Sequence, residues 1–300
     1  MTYKNGAVMT LDHGNTDKII AVASMQRNEA KYILEWFSYY LLQGVNKFVI
    51  YNHMSTDETQ SIYEKLKALG FDIDIHYRDG YNVHYPMLEH ALNSVLPNVD
   101  WLIFADMDEF YFSDTGASVR EVLDANEDFK GRAFGVNWCA FGSSGHIADP
   151  EYVLRDYNHR SLTDISTNHH YKSIVRGRCP AGTVIGSNPH IFTTDLGSFN
   201  MAGNFIPPHA GHNPGEPVVH SPLRINHYQC KSWEYFKNVK QARGSTADRA
   251  PDAPGAQIPD SVFHEYDYND VEDNLIWELF GERVLKMMNN IKSLLNGDFS

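Results

Sequence analysis

Cysteine is scarce in this chain, with three in 300 residues. Cys139, Cys179 and Cys230 form no C-x-x-C pair, so neither a zinc knuckle nor a disulfide framework is offered, and a reducing compartment is expected. Long apolar runs are absent too. None approaches the roughly 20 residues that span a bilayer, and Met1 to Lys18 lacks the apolar stretch of a secretory signal. The expectation is a cytoplasmic protein without a transmembrane segment, peripheral association with the inner face of a membrane being left open. Positive charge is in short supply: 25 Lys and Arg face 38 Asp and Glu, a formal net charge of -13. That balance excludes nonspecific nucleic-acid binding, which needs a basic surface. It leaves room for a phosphorylated ligand, because a few cations can converge locally. No internal repeat and no clear domain linker interrupts the chain.

What is present is ordinary for a large α/β domain. Hydrophobic residues make up 42% of the chain, enough to bury a substantial core. Aromatics are plentiful, with 17 Tyr, 16 Phe and 5 Trp, which suits carbohydrate-facing surfaces and aromatic cores alike.

The first half alternates strands and helices. Ile19 to Ser24, Lys47 to Tyr51 and Phe71 to His76 read as strands. Helices are expected from about Ala30 to Gln43, from the polar turn at Asn52 to Thr59 up to Leu69, and near Pro86 to Val95. Gly44 and Gly70 stand where helix-terminating residues belong. This rhythm indicates a mostly parallel sheet with right-handed crossovers, and ligands of such sheets bind beyond the carboxyl ends of the strands. Those ends carry Arg27-Asn28-Glu29, Asn52 to Thr59, and Asp106-Met107-Asp108-Glu109. In the second half, Ala133 to Phe141, Tyr171 to Arg176, Pro189 to Phe192 and Arg224 to Tyr228 read as strands. A helix is expected over about Ser232 to Ala242 and another from Val271 to Leu295. Residues 202–222 and 244–261 have the composition of long loops, the latter a mobile one.

The sharpest feature is the acidic cluster that follows the apolar run Trp101-Leu102-Ile103-Phe104-Ala105. Clustered carboxylates at a core edge repel each other and resist desolvation. Asp106 and Asp108, two apart, project to one side of an extended chain and can share one ion. Their hard oxygens suit Mg²⁺ or Mn²⁺ and leave coordination positions for a diphosphate.

Three segments in order, RNEAKYILEWFSYYLLQGVNKFVIYNHMSTDET, WLIFADMDEF and INHYQCKSWEYFKNVKQARG, carry a resemblance. Over about residues 19–245 the chain resembles nucleotide-sugar glycosyltransferases of the GT-A fold, in particular the group that joins family 2-like bacterial enzymes to family 92 (the DUF23-type proteins). The resemblance implies a GT-A-type α/β fold: a mostly parallel, Rossmann-like sheet flanked by helices, with a mixed C-terminal half on the acceptor side. It implies one domain over 1–300, with 19–130 binding the nucleotide sugar and 131–300 forming the acceptor-side half. The implied activity is metal-dependent transfer from a nucleotide-diphospho-sugar, a UDP-sugar first of all, to a hydroxyl of a glycan or glycoconjugate. Inversion is the expected outcome, with retention open. Asp106, Asp108 and His227 are the implied metal ligands, for Mn²⁺ or Mg²⁺. Arg27, Asn28, Glu29, Asn52, Asp57, Asp106, Lys231 and Arg243 are the implied donor contacts; Lys172 joins them from its spacing, since it shares a strand face with Arg176 and either lines the cleft or forms an exposed salt bridge. One departure is Asn52-His53 at the end of the second strand, where many family 2 members carry an acidic pair.

The remaining assignments rest on position. Asp149, then His146, are the candidates for a general base near the turn Phe141 to His146, with Glu151 and Asp195 behind them. Trp138 either stacks on a sugar or fills the core. Lys237 and Lys240 are expected on a solvated helix face, and His209 and His212 in a loop rather than a zinc site. Two alternatives stay open: a nucleotidyltransferase acting on sugar phosphates, and a catalytically inactive glycan-binding module. The loop Ser24 to Ala30 has no glycine, which counts against the first.

Overall fold

Short apolar runs rich in β-branched and aromatic residues form the centre of the molecule, where they are buried on both faces. In the computed structural model, strands β1 (Ile20–Gln26), β2 (Lys47–His53), β3 (Ile73–Arg78) and β4 (Trp101–Phe104) lie parallel in the order β3-β2-β1-β4. The structure describes residues 17–179, 184–185, 190–208, 210–244, 249–250, 252–253 and 255–297, with the backbone of 2–3 and 9–10. Ile20, Ala21 and Val22 have no exposed surface, as the inner strand of a covered parallel sheet requires.

Helices α1 (Ile33–Leu42) and α2 (Thr59–Ala68) are the crossovers. Each ends at a glycine in the left-handed region, Gly44 at φ +87° and Gly70 at φ +95°, where a side chain would be strained. The expected third helix begins at His84 as α3 (His84–His90) and widens into a π-helical turn over Ala91–Val95.

The second half continues the same sheet, with helix α4 (Val119–Asp124) leading into it and α6 (Asp260–Tyr266) near the end of the chain. β5 (Glu109–Phe112), β6 (Ala133–Ala140) and β7 (Tyr171–Arg176) follow. β7 inserts antiparallel between β4 and β6. β8 (Ser198–Asn200) runs parallel to β6 and carries β9 (Phe205–Ile206) at the edge. β10 (Arg224–His227) pairs in parallel with the far end of β6 and antiparallel with β5. The sheet is therefore parallel through the first half and mixed through the second.

Three expectations need correction. Glu109, counted with the acidic end of the preceding strand, instead opens a fully buried strand, Glu109–Phe112, because it has β10 as a partner from more than 110 residues downstream. The last helix starts at Leu275, as α7 (Leu275–Asn296), because Val271–Glu272 pairs with His159–Arg160 instead. A strand over Pro189 to Phe192 is not seen at residues 190–192, which are irregular, while Pro189 lies outside the described residues. Thr193–Thr194 pairs with Val184–Ile185 there. Of the 244–261 loop, residues 245–248, 251 and 254 lie outside the described residues, as does His209. The described part folds back, with Ala256 buried. No helix among the described residues is long and apolar enough to cross a membrane.

α1 is buried nearly all round, since it covers the sheet on one side and is covered by α7 and by α5 (Val153–Asp156) on the other. Tyr39 meets Phe280 of α7 edge-to-face at 5.9 Å. Glu35 lies in the first turn of this helix, and its carboxylate accepts the backbone N–H groups of Val153 at 2.7 Å and Leu154 at 2.9 Å. Burial pushes its carboxyl up to about 7, against the pull of those two amides. Glu35→Ala leaves two buried amides without an acceptor and should cost about 3 kcal/mol. Urea titration would record this as a lower midpoint at unchanged slope, and Glu35→Gln should lose about half as much. A midpoint unaltered by Glu35→Ala would remove the tie between α1 and α5.

Candidate functional site

Strand directions decide where the polar residues gather. The carboxyl ends of β1 and β4 point the same way, which brings Arg27 and Glu29 beside Asp106 and Asp108. β7 runs against β4, so Lys172, near its start, stands at the same rim. His227 ends β10, and the following chain returns across the rim as a helical turn at Trp233–Tyr235 and a π-helical segment at Phe236–Gln241. These elements enclose one cleft lined by acids, cations and imidazoles.

Its centre is a set of ion pairs. Lys172 Nζ lies 2.7 Å from Asp106 Oδ2 and 3.2 Å from Glu109 Oε2. Glu109 Oε2 also accepts the Asp106 N–H at 2.9 Å. Lys240 Nζ lies 2.9 Å from Asp108 Oδ2, and His227 Nε2 stands 3.7 Å from Asp108 Oδ1. Burial works to raise both aspartates. The Lys172 ammonium overrides it at Asp106, and Lys240 with His227 overrides it further at Asp108, so both carboxyls sit below their usual range. At Glu109 burial wins and the carboxyl is raised. The acidic cluster is thus relieved by two buried lysines.

Five cationic side chains line the cleft, Arg27, Lys172, Lys240, Arg243 and Arg249, against three carboxylates, Glu29, Asp106 and Asp108. Among the lining side chains, five against three is an excess of two positive charges, which Glu109 behind Lys172 cuts to one where it is ionised, inside a chain of formal charge -13. Arg27 Nε, Glu29 Oε2, Trp138 Nε1, His227 Nδ1 and Gln229 Oε1 are buried without a hydrogen-bond partner among the described residues, and all five side chains line this cleft. Unpaired buried polar atoms are costly, and their presence here, donors and acceptors together, marks a surface shaped for a polar ligand.

The anticipated residues divide into those at the cleft and those behind it. Asp106, Asp108, His227, Arg27, Glu29, Lys172 and Arg243 line it. Arg243 reaches Glu29 Oε1 at 2.6 Å. Asn28, Asn52 and Asp57 instead join the loops that follow β1 and β2. Asn28 Oδ1 accepts from the Thr56 N–H at 2.8 Å, and Asp57 accepts from the N–H groups of Ala30 and Thr59 at 3.0 Å each. Asn52 donates to Gln60 Oε1 at 2.7 Å.

Lys231 is fully buried behind the wall, its ammonium 3.6 Å from the Tyr32 ring centre and 4.3 Å from that of Tyr235. The Asp149 carboxylate is engaged by Lys31, Tyr32 and Tyr157, and His146 Nε2 lies 3.0 Å from the Asp156 carbonyl. Neither residue lines the cleft. Glu151 and Asp195 are exposed away from it. Trp138 is half-buried in the cleft wall, stacked on His170 at 4.8 Å and tilted against His227 at 4.2 Å.

Sequence reasoning missed Lys240 and Glu109. Lys237 and Lys240, three apart, share a face on a regular helix. The π-helical turn has more residues per turn, and it separates them: Lys237 is exposed against Asp260 while Lys240 is buried on Asp108.

The donor chemistry also bears on a divalent cation. Asp106 and Asp108 each use Oδ2 for a lysine, and Asp108 Oδ1 faces His227 Nε2. Among the described residues no three of His, Cys, Asp and Glu converge to cage an ion by themselves. Mg²⁺-like ions are commonly held by one or two carboxylates plus a substrate's phosphates. The residues fit an ion of that kind, completed by its ligand.

The sequence model of glycosyltransferase family 92 matches residues 17–262, a span that includes the whole cleft. A glycosyltransferase family 92 protein of Ricinus communis is 25% identical over 230 residues, covering 76% of this chain and 38% of its own length. A family 92 protein of Oryza sativa subsp. japonica is 23% identical over 230 residues, covering 76% of this chain and 36% of its own. The chain therefore spans well under half the length of these curated relatives. Among solved structures, S. aureus TarS in complex with UDP is similar over 53% of this chain and 46% of that one, with a TM-score of 0.37 and 16% identity.

Imidazoles in and beside the cleft wall yield a prediction. Burial, reinforced by Lys172, pushes His190 down to about 3, and burial pushes His220 down to about 4. His220 Nε2 lies 2.8 Å from the Trp138 carbonyl. Both rings are neutral in the folded chain but take up a proton near pH 6.5 once unfolded. At these two sites the unfolded chain binds more protons between those values, so their contribution to stability is full above about pH 6.5 and declines as pH falls toward about 4. Asp106 and Asp108 titrate below this window. Glu35 and Glu109, whose carboxyls are raised by burial, gain protons on folding in the same range and oppose this trend, so the difference is the test: between pH 6.5 and 4.5 His220→Gln should lose less melting temperature, or gain more, than the unaltered protein. An equal slope in the variant would contradict the neutral burial of the His220 ring.

Proposed function

The chain belongs to glycosyltransferase family 92, and on that premise we propose that it transfers a sugar from a nucleotide-diphospho-sugar to a hydroxyl of a glycan or glycoconjugate acceptor. A UDP-sugar is the donor taken first. The observation that carries this reading is the cleft's charge: paired aspartates, each met by an ammonium, within a wall that is cationic in an otherwise acidic chain. A diphosphate carries the complementary charge and enough acceptor oxygens for Arg27, Lys240 and Arg243.

In this reading Lys172 holds Asp106 in place through its second bond to Glu109, so the first aspartate is oriented before any ligand arrives. Arg27 and Arg243 flank the diphosphate and oppose the charge that gathers on it as the sugar leaves. His227, wedged between Trp138 and Asp108, orients the second aspartate. A bound Mn²⁺ or Mg²⁺ at Asp106 and Asp108 supplies further positive charge to the leaving nucleoside diphosphate. Inversion remains part of the proposal and requires the acceptor hydroxyl to approach the face opposite the diphosphate. Neither Asp149 nor His146 lines the cleft, and the Asp149 carboxylate is already engaged by Lys31 and two tyrosine hydroxyls, which favours a base from elsewhere.

The reading is tested by titrating UDP into the protein with and without Mn²⁺. Mn²⁺ should strengthen UDP binding by about tenfold or more, the usual size of a coupling between ligands that share a site. Asp108→Asn should lose that gain and the Mn²⁺-dependent hydrolysis of UDP-sugars while keeping a cooperative melt. Equal UDP affinity with Mn²⁺ and with a chelator, in the unaltered protein, would refute the shared site.

A further inference from the structure

Two lysines hold the paired aspartates, but they are held differently themselves. Lys172 is anchored on a sheet strand, 2% exposed, and bridges two acids, Asp106 and Glu109. Lys240 rises from a π-helical turn and has one acid partner, Asp108, at 2.9 Å. Its four-carbon stem can swing the ammonium without moving the backbone. Widened turns of this kind often occur where a helix serves a site. Arg27 Nε, unpaired and buried in the same cleft, is a further donor awaiting an anionic partner.

An ammonium and a divalent cation cannot both sit on the Asp108 carboxylate without strong mutual repulsion. A diphosphate changes this, because its oxygens can take the ammonium and a cation together. We propose that Lys240 is the exchangeable counter-ion of Asp108: it competes with a divalent cation for that carboxylate, and a diphosphate lets both remain by accepting the lysine's ammonium. Cation and nucleotide would then enforce each other's binding through a side chain as well as through direct contact. The inference rests on the donor reading above, since it needs a diphosphate in the cleft.

The test measures Mn²⁺ binding by calorimetry, alone and with saturating UDP, on the full chain. Lys240→Gln keeps a hydrogen-bond donor for Asp108 and removes the competing charge. It should bind Mn²⁺ alone about tenfold more tightly than the unaltered protein, and the strengthening by UDP should shrink by about the same factor. Lys237→Gln, which removes the same charge from an exposed position on the same segment, should change neither value. If Lys240→Gln binds Mn²⁺ alone no more tightly while the unaltered protein still couples Mn²⁺ to UDP, this inference fails and the donor reading stands. If the unaltered protein shows no coupling, the donor reading fails and takes this one with it. Should Lys240→Gln not fold, Lys240→Arg keeps the charge and must bind Mn²⁺ alone as weakly as the unaltered protein; tighter binding there overturns the proposal.

Discussion

The site depends on the capture of two aspartates by two lysines that arrive from distant parts of the chain. Three carboxylates at the end of a buried strand would be unstable alone, since desolvation and mutual repulsion both act against their ionised forms. Lys172 comes from a strand 66 residues beyond Asp106 and Lys240 from 132 residues beyond Asp108. Removing one partner of such a buried pair typically costs about 3–5 kcal/mol, mainly because the other charge is left uncompensated. The pairs therefore constrain the fold as much as the chemistry. β7 must enter antiparallel next to β4, and the segment after β10 must close over the rim, or the acids have no counter-charge.

That constraint explains why the two halves form one continuous sheet. A parallel unit made of β1 to β4 offers a crevice beyond its strand ends but too few cations to fill it: of the five that line the cleft, Arg27 alone comes from this first half. Lys172, Lys240, Arg243 and Arg249 all come from the second. Glu109 joins the two parts from below. It is buried in β5, paired with β10 across the sheet, while its carboxylate receives Lys172 and the Asp106 amide. A buried acid that appears idle in the sequence thus orients both an aspartate and the lysine that neutralises it.

The legible part of the sequence was whatever local pattern decides. Strands β1 to β4, helices α1 and α2 with their terminal glycines, and the pairing potential of Asp106 with Asp108 all follow from periodicity and residue type. What was not legible depended on partners remote in sequence. Glu109 looks like part of the acidic strand end until β10 is known to lie beside it. Lys240 looks solvated until a π-helical turn rotates it inward, an irregularity that spacing rules for a regular helix cannot anticipate. Asp149 has the right residue type and lies near the turn expected to border an acceptor. Its carboxylate is nonetheless occupied by Lys31 and two tyrosine hydroxyls, which position along the chain does not reveal.

The chain's acidity and its cationic cleft belong to one electrostatic arrangement. An anionic ligand is repelled by the surface at large and attracted at a single rim, so the field discriminates by place before any contact forms. Inside the cleft the acids set the limit on that attraction. With Asp106 and Asp108 paired to lysines, two positive charges at most remain in excess among the lining side chains, fewer than five unopposed cations would supply. An ion pair that can reopen is what reconciles a folded resting site with a strongly charged bound one. Lys172, fastened by two acids, keeps the frame, and Lys240, fastened by one, is the lysine proposed to change sides. The asymmetry between these two lysines is therefore where the stability of the fold meets the proposed binding of a diphosphate.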